Sequence, residues 1–512
     1  MAAVAITLAV AGCGGETGDR AERSPAPAQA TAPAQQRTVA TEPWAQEIWE
    51  VQAIDGVKVG YAHMAVDRRT EAGRDVFHFQ EESSMALLRE GKEVRIEAEL
   101  SSVEPTGGGL ESYQMRVRQG RLVMESSGRV VGGQLELELR AGGNVSRGRL
   151  PWPADCGGPH AVELSLWQSP MKPGQTRTLR ALIPAINQIG RIELTARQYE
   201  TVRLPEKPSR LLRIETQTTL ADGQTLTGTL WTDPAGDILK EHNRELDLVS
   251  FRASKQMALE ASAAARYDLL ADLFVPVKRR LEEPYRSRRI RYRVRLSGDD
   301  PARVFPSSPT QTVRSTGPET AEVVVVAAGP KRLDQLPQAT QPPGQAEREP
   351  NSIIQSDDAT IRRLAAEAVG QLGDPCEQVL ALEGFVHRFV EVDYSQAFAS
   401  AVDVASTRRG DCSEHAVLLA ALARAVGIPA RVVVGLIYTE GSKGPGFAYH
   451  MWNQVYVEGR WVPLDATLAL GGTGAARLAI AHHSLEGASA LSCFLPVARV
   501  AGQLEIEILD AQ

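Results

Sequence analysis

Cys412, His450 and Asp465 are residues whose types and surroundings could together perform nucleophilic chemistry. Cys412 follows Arg409-Gly410-Asp411 and precedes a stretch, Ser413 to Val426, that reads as a helix ending at Gly427-Ile428-Pro429, a C-cap glycine with a following proline. A thiol in the first turn of that helix faces unpaired backbone N–H groups and the positive end of the macrodipole, which draw it toward the thiolate, its nucleophilic form. Gly410 permits a tight backbone approach, and the Cys412 N–H could donate to an oxyanion. A cysteine serving only to pack would sit mid-helix on the apolar face.

A thiolate needs a neighbouring imidazole, and the imidazole needs an orienting acceptor. His450 begins an alternating segment in which Trp452, Gln454 and Tyr456 share its face. With Glu458-Gly459 as a two-residue hairpin turn, Val457 pairs with Arg460 and Asp465 falls opposite Trp452. Asp465 is then one diagonal step from His450, roughly 7–8 Å between backbones, which side chains of this size bridge. The other histidines fit the chemistry less well. His415 lies one turn past Cys412 and is expected to support packing, and the adjacent His482 and His483 read as loop residues rather than metal ligands. Tyr394 and Gln396 precede the cysteine and are candidates for an oxyanion pocket. No DxDxDG loop occurs, so no metal requirement is expected, and no cofactor is called for by the proposed chemistry.

The elements positioning these groups change period along the chain. Ser356 or Asp357 can cap a helix with Ile361, Leu364, Ala365 and Ala368 on one face. Asp374-Pro375 opens a second, with Val379, Leu382, Val386 and Phe389. Strands follow at Ala430 to Tyr438, Tyr449 to Val457 and Arg460 to Ala466, which makes residues 356–475 an α+β domain. Upstream, residues 44–275 alternate apolar and charged positions between Gly-rich turns, an antiparallel β domain with one wet face. Residues 276–330 read as a small β module whose arginines, in Ile290-Arg291-Tyr292-Arg293-Val294-Arg295-Leu296, line a solvent face. Residues 331–355 read as a linker and 476–512 as a C-terminal β extension.

The chain of 512 residues is too long for a single ordinary core. Its net charge of −7 argues against nucleic acid as a partner. Five cysteines (Cys13, Cys156, Cys376, Cys412 and Cys493) are too few for a disulfide scaffold and show no zinc or redox spacing. Cys376 reads as structural, and Cys156 and Cys493 as free or paired. Residues 1–13, apolar and ending in Val10-Ala11-Gly12-Cys13, resemble a bacterial lipoprotein signal. That resemblance implies lipidation of Cys13, a membrane anchor and domains outside the cytoplasm, in the periplasm of a Gram-negative cell. Residues 14–43, rich in Ala, Pro, Gln and Thr, suit a disordered tether.

Arg409-Gly410-Asp411-Cys412-Ser413-Glu414-His415-Ala416, Tyr449-His450-Met451-Trp452-Asn453 and Gly459-Arg460-Trp461-Val462-Pro463-Leu464-Asp465 together resemble the transglutaminase-like superfamily. The resemblance implies a papain-like core with Cys412 as nucleophile, His450 as general base and acid, and Asp465 as orienting carboxylate. It implies a cysteine acyl-transfer enzyme acting on amide bonds of a protein or peptide substrate, with a peptidase or amidase expected. Cross-linking by protein-glutamine γ-glutamyl transfer is the alternative. A different alternative is a non-catalytic module binding an envelope protein through the β domain.

Overall fold

Strands such as Ser112–Gln119 alternate buried and exposed positions, so each carries one dry and one wet face. The computed structural model describes residues 46–512 apart from 55, 90–91, 120–121, 142–143, 222, 224, 245–246, 261–273, 395–398, 442–443, 486–494, 499 and 501. The signal and tether readings, Cys13 included, lie outside the described residues, as do Gln396 and Cys493.

Fifteen strands between Gln46 and Ala253 form one sheet. Its pairings are antiparallel except where Cys156–Gly157 runs parallel to Thr176–Ile183. The first strand, Gln46–Ile54, lies mid-sheet between Val57–Glu71 and the last strand, Leu248–Ala253. The eighth strand, Asn144–Pro151, and the ninth, Cys156–Gly157, occupy opposite edges. Residues 152–155 alone separate them in the chain. So short a connection reaches at most about 18 Å, so the sheet must curl until its edges approach. Helix Ala161–Gln168 fills the space inside. Its Leu164 packs with Ile48, Met64, Val66 and Phe79, and its Leu166 with Leu194, Leu212 and Leu230 from the other half of the sheet.

The C-terminal part is α+β. Helices Ala359–Val369, Pro375–Phe389, Ala401–Thr407 and Cys412–Ala425 are capped by Asp358, Asp374, Ser400 and Asp411. The first three pack around the Cys412 helix, which is buried along nearly its whole length. Beside it lies a sheet ordered Val275–Pro276, Gly444–Val457, Ala430–Gly441, Arg477–His483, with Arg460–Leu464 also paired to Gly444–Val457.

Arg289–Leu296 buries Ile290, Tyr292, Val294 and Leu296 and turns its arginines outward, where Arg293 and Arg295 meet Glu507, Glu505 and Glu319. That strand lies between Thr320–Val326 and Leu504–Ala511, so the small β module and the C-terminal extension share one sheet. Residues 331–355 are laid against the α+β part. Ile353 and Ile354 are buried there, and the carbonyls of Glu347 and Glu349 accept from the Ala430 N–H and the Arg424 guanidinium. Among the described residues no helix is long and apolar enough to cross a membrane.

Candidate active site

The start of the Cys412 helix is fixed by reciprocal hydrogen bonds. The Asp411 carboxylate accepts the Ser413 N–H at 2.8 Å, and Glu414 reaches back to accept the Asp411 N–H at 2.9 Å, a complete capping box. Glu414 also accepts the Ala399 N–H at 2.8 Å, tying the preceding loop to the same turn. Glycine is required at 410 because a Cβ there would run into the Glu414 side chain. Cys412 is the first residue of the helix and is buried. Its sulfur is disulfide-bonded. Cys156 and Cys376 are free. Burial pushes both free thiols up, that of Cys156 to about 12.

His450 stands on the strand Gly444–Val457, which the Asn453 side chain ties to the Cys412 helix by donating to the Ala416 carbonyl at 2.8 Å. The hairpin turns at Glu458 and Gly459, both at positive φ (47° and 78°), and pairs Val457 with Arg460 through Asn453 with Leu464. Asp465 comes directly after that ladder, and its Oδ2 lies 2.7 Å from His450 Nε2. His450 and Asp465 are both buried, so this contact is shielded from water. With Nε2 committed to the carboxylate, Nδ1 is the ring nitrogen left for proton traffic.

Two further groups hold Asp465, and neither was singled out from the sequence. Arg477, 2% exposed, donates to the same Oδ2 from Nη2, while its Nε and Nη1 have no hydrogen-bond partner among the described residues. Burial alone would raise the Asp465 carboxyl, but the charges and hydrogen bonds of His450 and Arg477 hold it well below the usual carboxylate range. Glu383, on the helix Pro375–Phe389, accepts the backbone N–H groups of Asp465 at 3.0 Å and Gly471 at 2.9 Å. Burial pushes its carboxyl up to about 7, against the lowering effect of those bonds. The sequence did carry signals: Glu383 interrupts an apolar helix face one turn from Val379, and Arg477 stands alone in Ala475-Ala476-Arg477-Leu478-Ala479-Ile480.

His415 points its Nδ1 at the Asp411 carbonyl, 2.7 Å away, and burial lowers its proton affinity. It braces the first turn. His482 and His483, expected in a loop, instead end the strand Arg477–His483 opposite Val433 and Val432. That pairing is long-range and leaves no local pattern. Burial lowers both, His482 to about 4. Tyr394 lies between strand Glu391–Val392 and helix Ala401–Thr407, in the loop leading toward Cys412. Among the described residues no group of three or more His, Cys, Asp or Glu is placed to hold a metal ion.

Residues 362–466 match the family model of the transglutaminase-like superfamily and form a transglutaminase-like domain. Members of that superfamily are typically cysteine-based enzymes. Among solved structures, a candidate cysteine protease from Cytophaga hutchinsonii is 18% identical, with 44% of this chain and 85% of that one covered at a TM-score of 0.28. A β-barrel-like domain of unknown function from Brucella abortus is 8% identical, covering 41% and 96%, at a TM-score of 0.31. A TGase is 17% identical, covering 31% and 43%, at a TM-score of 0.19. No curated protein matches.

Proposed function

We propose that the chain is a cysteine acyl-transfer enzyme that cleaves amide bonds of proteins or peptides through a thioester. The observation that carries this reading is the buried His450–Asp465 pair set beside a helix whose first residue is Cys412. Once reduced, the Cys412 thiolate attacks the amide carbonyl carbon, and the Cys412 backbone N–H donates to the developing oxyanion. The imidazolium of His450 gives its Nδ1 proton to the leaving amine, and Asp465 stabilises the charged ring. Water, deprotonated by His450, then attacks the thioester and releases the acid and the thiolate. A primary amine in place of water gives cross-linking by the same groups. Water is the acceptor we favour, because many bacterial members of the superfamily that the sequence blocks resemble look like hydrolases.

The decisive experiment incubates the reduced protein with glutamine- and lysine-containing peptides, with and without added primary amine, and weighs the products. Cleaved or deamidated peptide that is absent with Cys412→Ala supports hydrolysis. Amine-adducted peptide would move the assignment to transamidation, and no Cys412-dependent product would reject the enzyme reading. We place the protein in the cell envelope, anchored through Cys13, on the composition of residues 1–13. Detergent-phase partitioning that is lost in Cys13→Ser tests this.

A further inference from the structure

The ladder that pairs Arg460–Leu464 with Gly444–Val457 ends at Leu464, opposite Asn453. Asp465 is the next residue, so its backbone is held by something other than that ladder. Its 2.7 Å contact with His450 Nε2 depends on how steadily the backbone is held, because small displacements of catalytic groups are expensive. The turn supplies part of the hold. The Asp465 carbonyl accepts the Leu468 and Ala469 N–H groups at 3.2 and 2.8 Å, and its Oδ1 accepts the Thr467 N–H at 3.0 Å. These bonds stay within residues 465–469 and do not by themselves tie the turn to the rest of the domain.

One face of the helix Pro375–Phe389 provides such a tie. Glu383 and His387 are four residues apart and project side by side from it. Glu383 accepts the Asp465 and Gly471 N–H groups at 3.0 and 2.9 Å. His387 Nδ1 lies 3.1 Å from the Ala466 carbonyl oxygen. A carbonyl oxygen can only accept, so Nδ1 carries the proton and donates it. One turn earlier, Leu380 lies so near Gly471 that a Cβ there would come within 3.3 Å of it. The helix therefore grips the N–H before Asp465 and the C=O after Ala466 with groups of opposite polarity, which fixes the direction of the peptide groups as well as their place. Glu383 is buried, but His387 is exposed, where a single hydrogen bond adds little to stability. Its charge nevertheless reaches His415, one turn past Cys412.

We propose that His387 is a positioning residue for the triad, clamping with Glu383 the peptide groups that flank Asp465 and Ala466 so that the Asp465 carboxylate stays aimed at His450. The proposal rests on the acyl-transfer reading, in which Asp465 orients and stabilises the His450 ring. His387 acts through Asp465, so its loss matters only while that carboxylate is present.

The test follows two rates in the reduced full chain: alkylation of Cys412 by iodoacetamide at mildly acidic pH, read by peptide mapping, and turnover of a peptide amide. His387→Leu should slow labelling and kcat by about tenfold, with KM within about twofold of wild type. Its unfolding midpoint should stay within about 3 °C of wild type. His387→Asn keeps a donor where Nδ1 stood and should restore both rates. Added to Asp465→Asn, His387→Leu should slow labelling no further, since groups that act as a unit are not additive. Glu383→Gln, which keeps one acceptor oxygen, should show the same dependence on Asp465. The proposal is overturned by a His387→Leu chain that matches wild type in both rates, or that loses midpoint rather than rate. It is equally overturned if His387→Asn is as slow as His387→Leu, or if the effect persists in full without Asp465. Wild-type Cys412 that labels no faster than Cys376 would instead remove the acyl-transfer reading, and the proposal with it.

Discussion

Asp465 is shared by His450 and Arg477, so its removal should have two consequences that a second substitution can separate. Asp465→Asn keeps the side-chain volume but leaves the Arg477 guanidinium, 2% exposed, without a counter-ion. Breaking a buried pair from one side costs about 3–5 kcal/mol, whereas replacing the whole pair by apolar volume is often neutral. For a domain of this size that cost lowers the melting midpoint by roughly 10–20 °C. Arg477→Met added to Asp465→Asn should restore most of the midpoint. Activity should not follow, because His450 Nε2 would still lack the carboxylate that orients and charges it. A loss of about 10³–10⁴-fold in turnover is expected in both variants. The assay pairs thermal unfolding of the reduced protein with cleavage of a peptide amide. Equal instability in the single and double variants would refute the electrostatic account of Arg477. Recovery of turnover in the double variant would refute the role given to Asp465.

Three other outcomes are expected. Iodoacetamide should leave Cys412 unlabelled until a reductant is added, whereas Cys376 should label without it; peptide mapping that finds Cys412 alkylated in oxidised protein would contradict the observed disulfide. Glu383, with an ordinary carboxyl value of 4.5 raised to about 7 in the fold, favours the protonated form when folded, so its contribution is full below about 4.5 and is lost as pH rises through about 7. The loss is up to about 3 kcal/mol, and Glu383→Gln should flatten the urea-midpoint profile across that window, an unchanged slope speaking against the assignment. Gly410→Ala should destabilise by about 1–3 kcal/mol by forcing Glu414 off the Asp411 N–H, which denaturant unfolding would detect, and a neutral result would mean the capping box yields without cost.

Local patterns carried much of the site. Asp374-Pro375 announces a helix by its own chemistry, and Glu458-Gly459 sets a register that delivers Asp465 to His450. Alternation likewise assigns the arginines near 290 to a wet face. What stayed hidden is long-range. Arg477 reaches Asp465 only because its strand pairs with Ala430–Gly441, and Glu383 does so across a helix packing that no local window contains. Residues 504–511 join the strand at 289–296 for the same reason. The disulfide at Cys412 also left no trace, since cysteine spacing does not specify pairing.

The placement of the first strand has a consequence for how the molecule comes to exist. Gln46–Ile54 finds one neighbour at once, in Val57–Glu71, but its other edge waits for Leu248–Ala253, some two hundred residues later. Until that segment emerges from the ribosome, a row of backbone donors and acceptors in the centre of the future sheet stands open to any passing strand. The two meanders on either side can each form by local hairpins, yet their joining closes one very long loop, a slow step of high contact order. The half-built sheet is therefore the species that needs protection during synthesis, and substitutions in Leu248–Ala253 should raise aggregation of newly made chains before they weaken the finished fold.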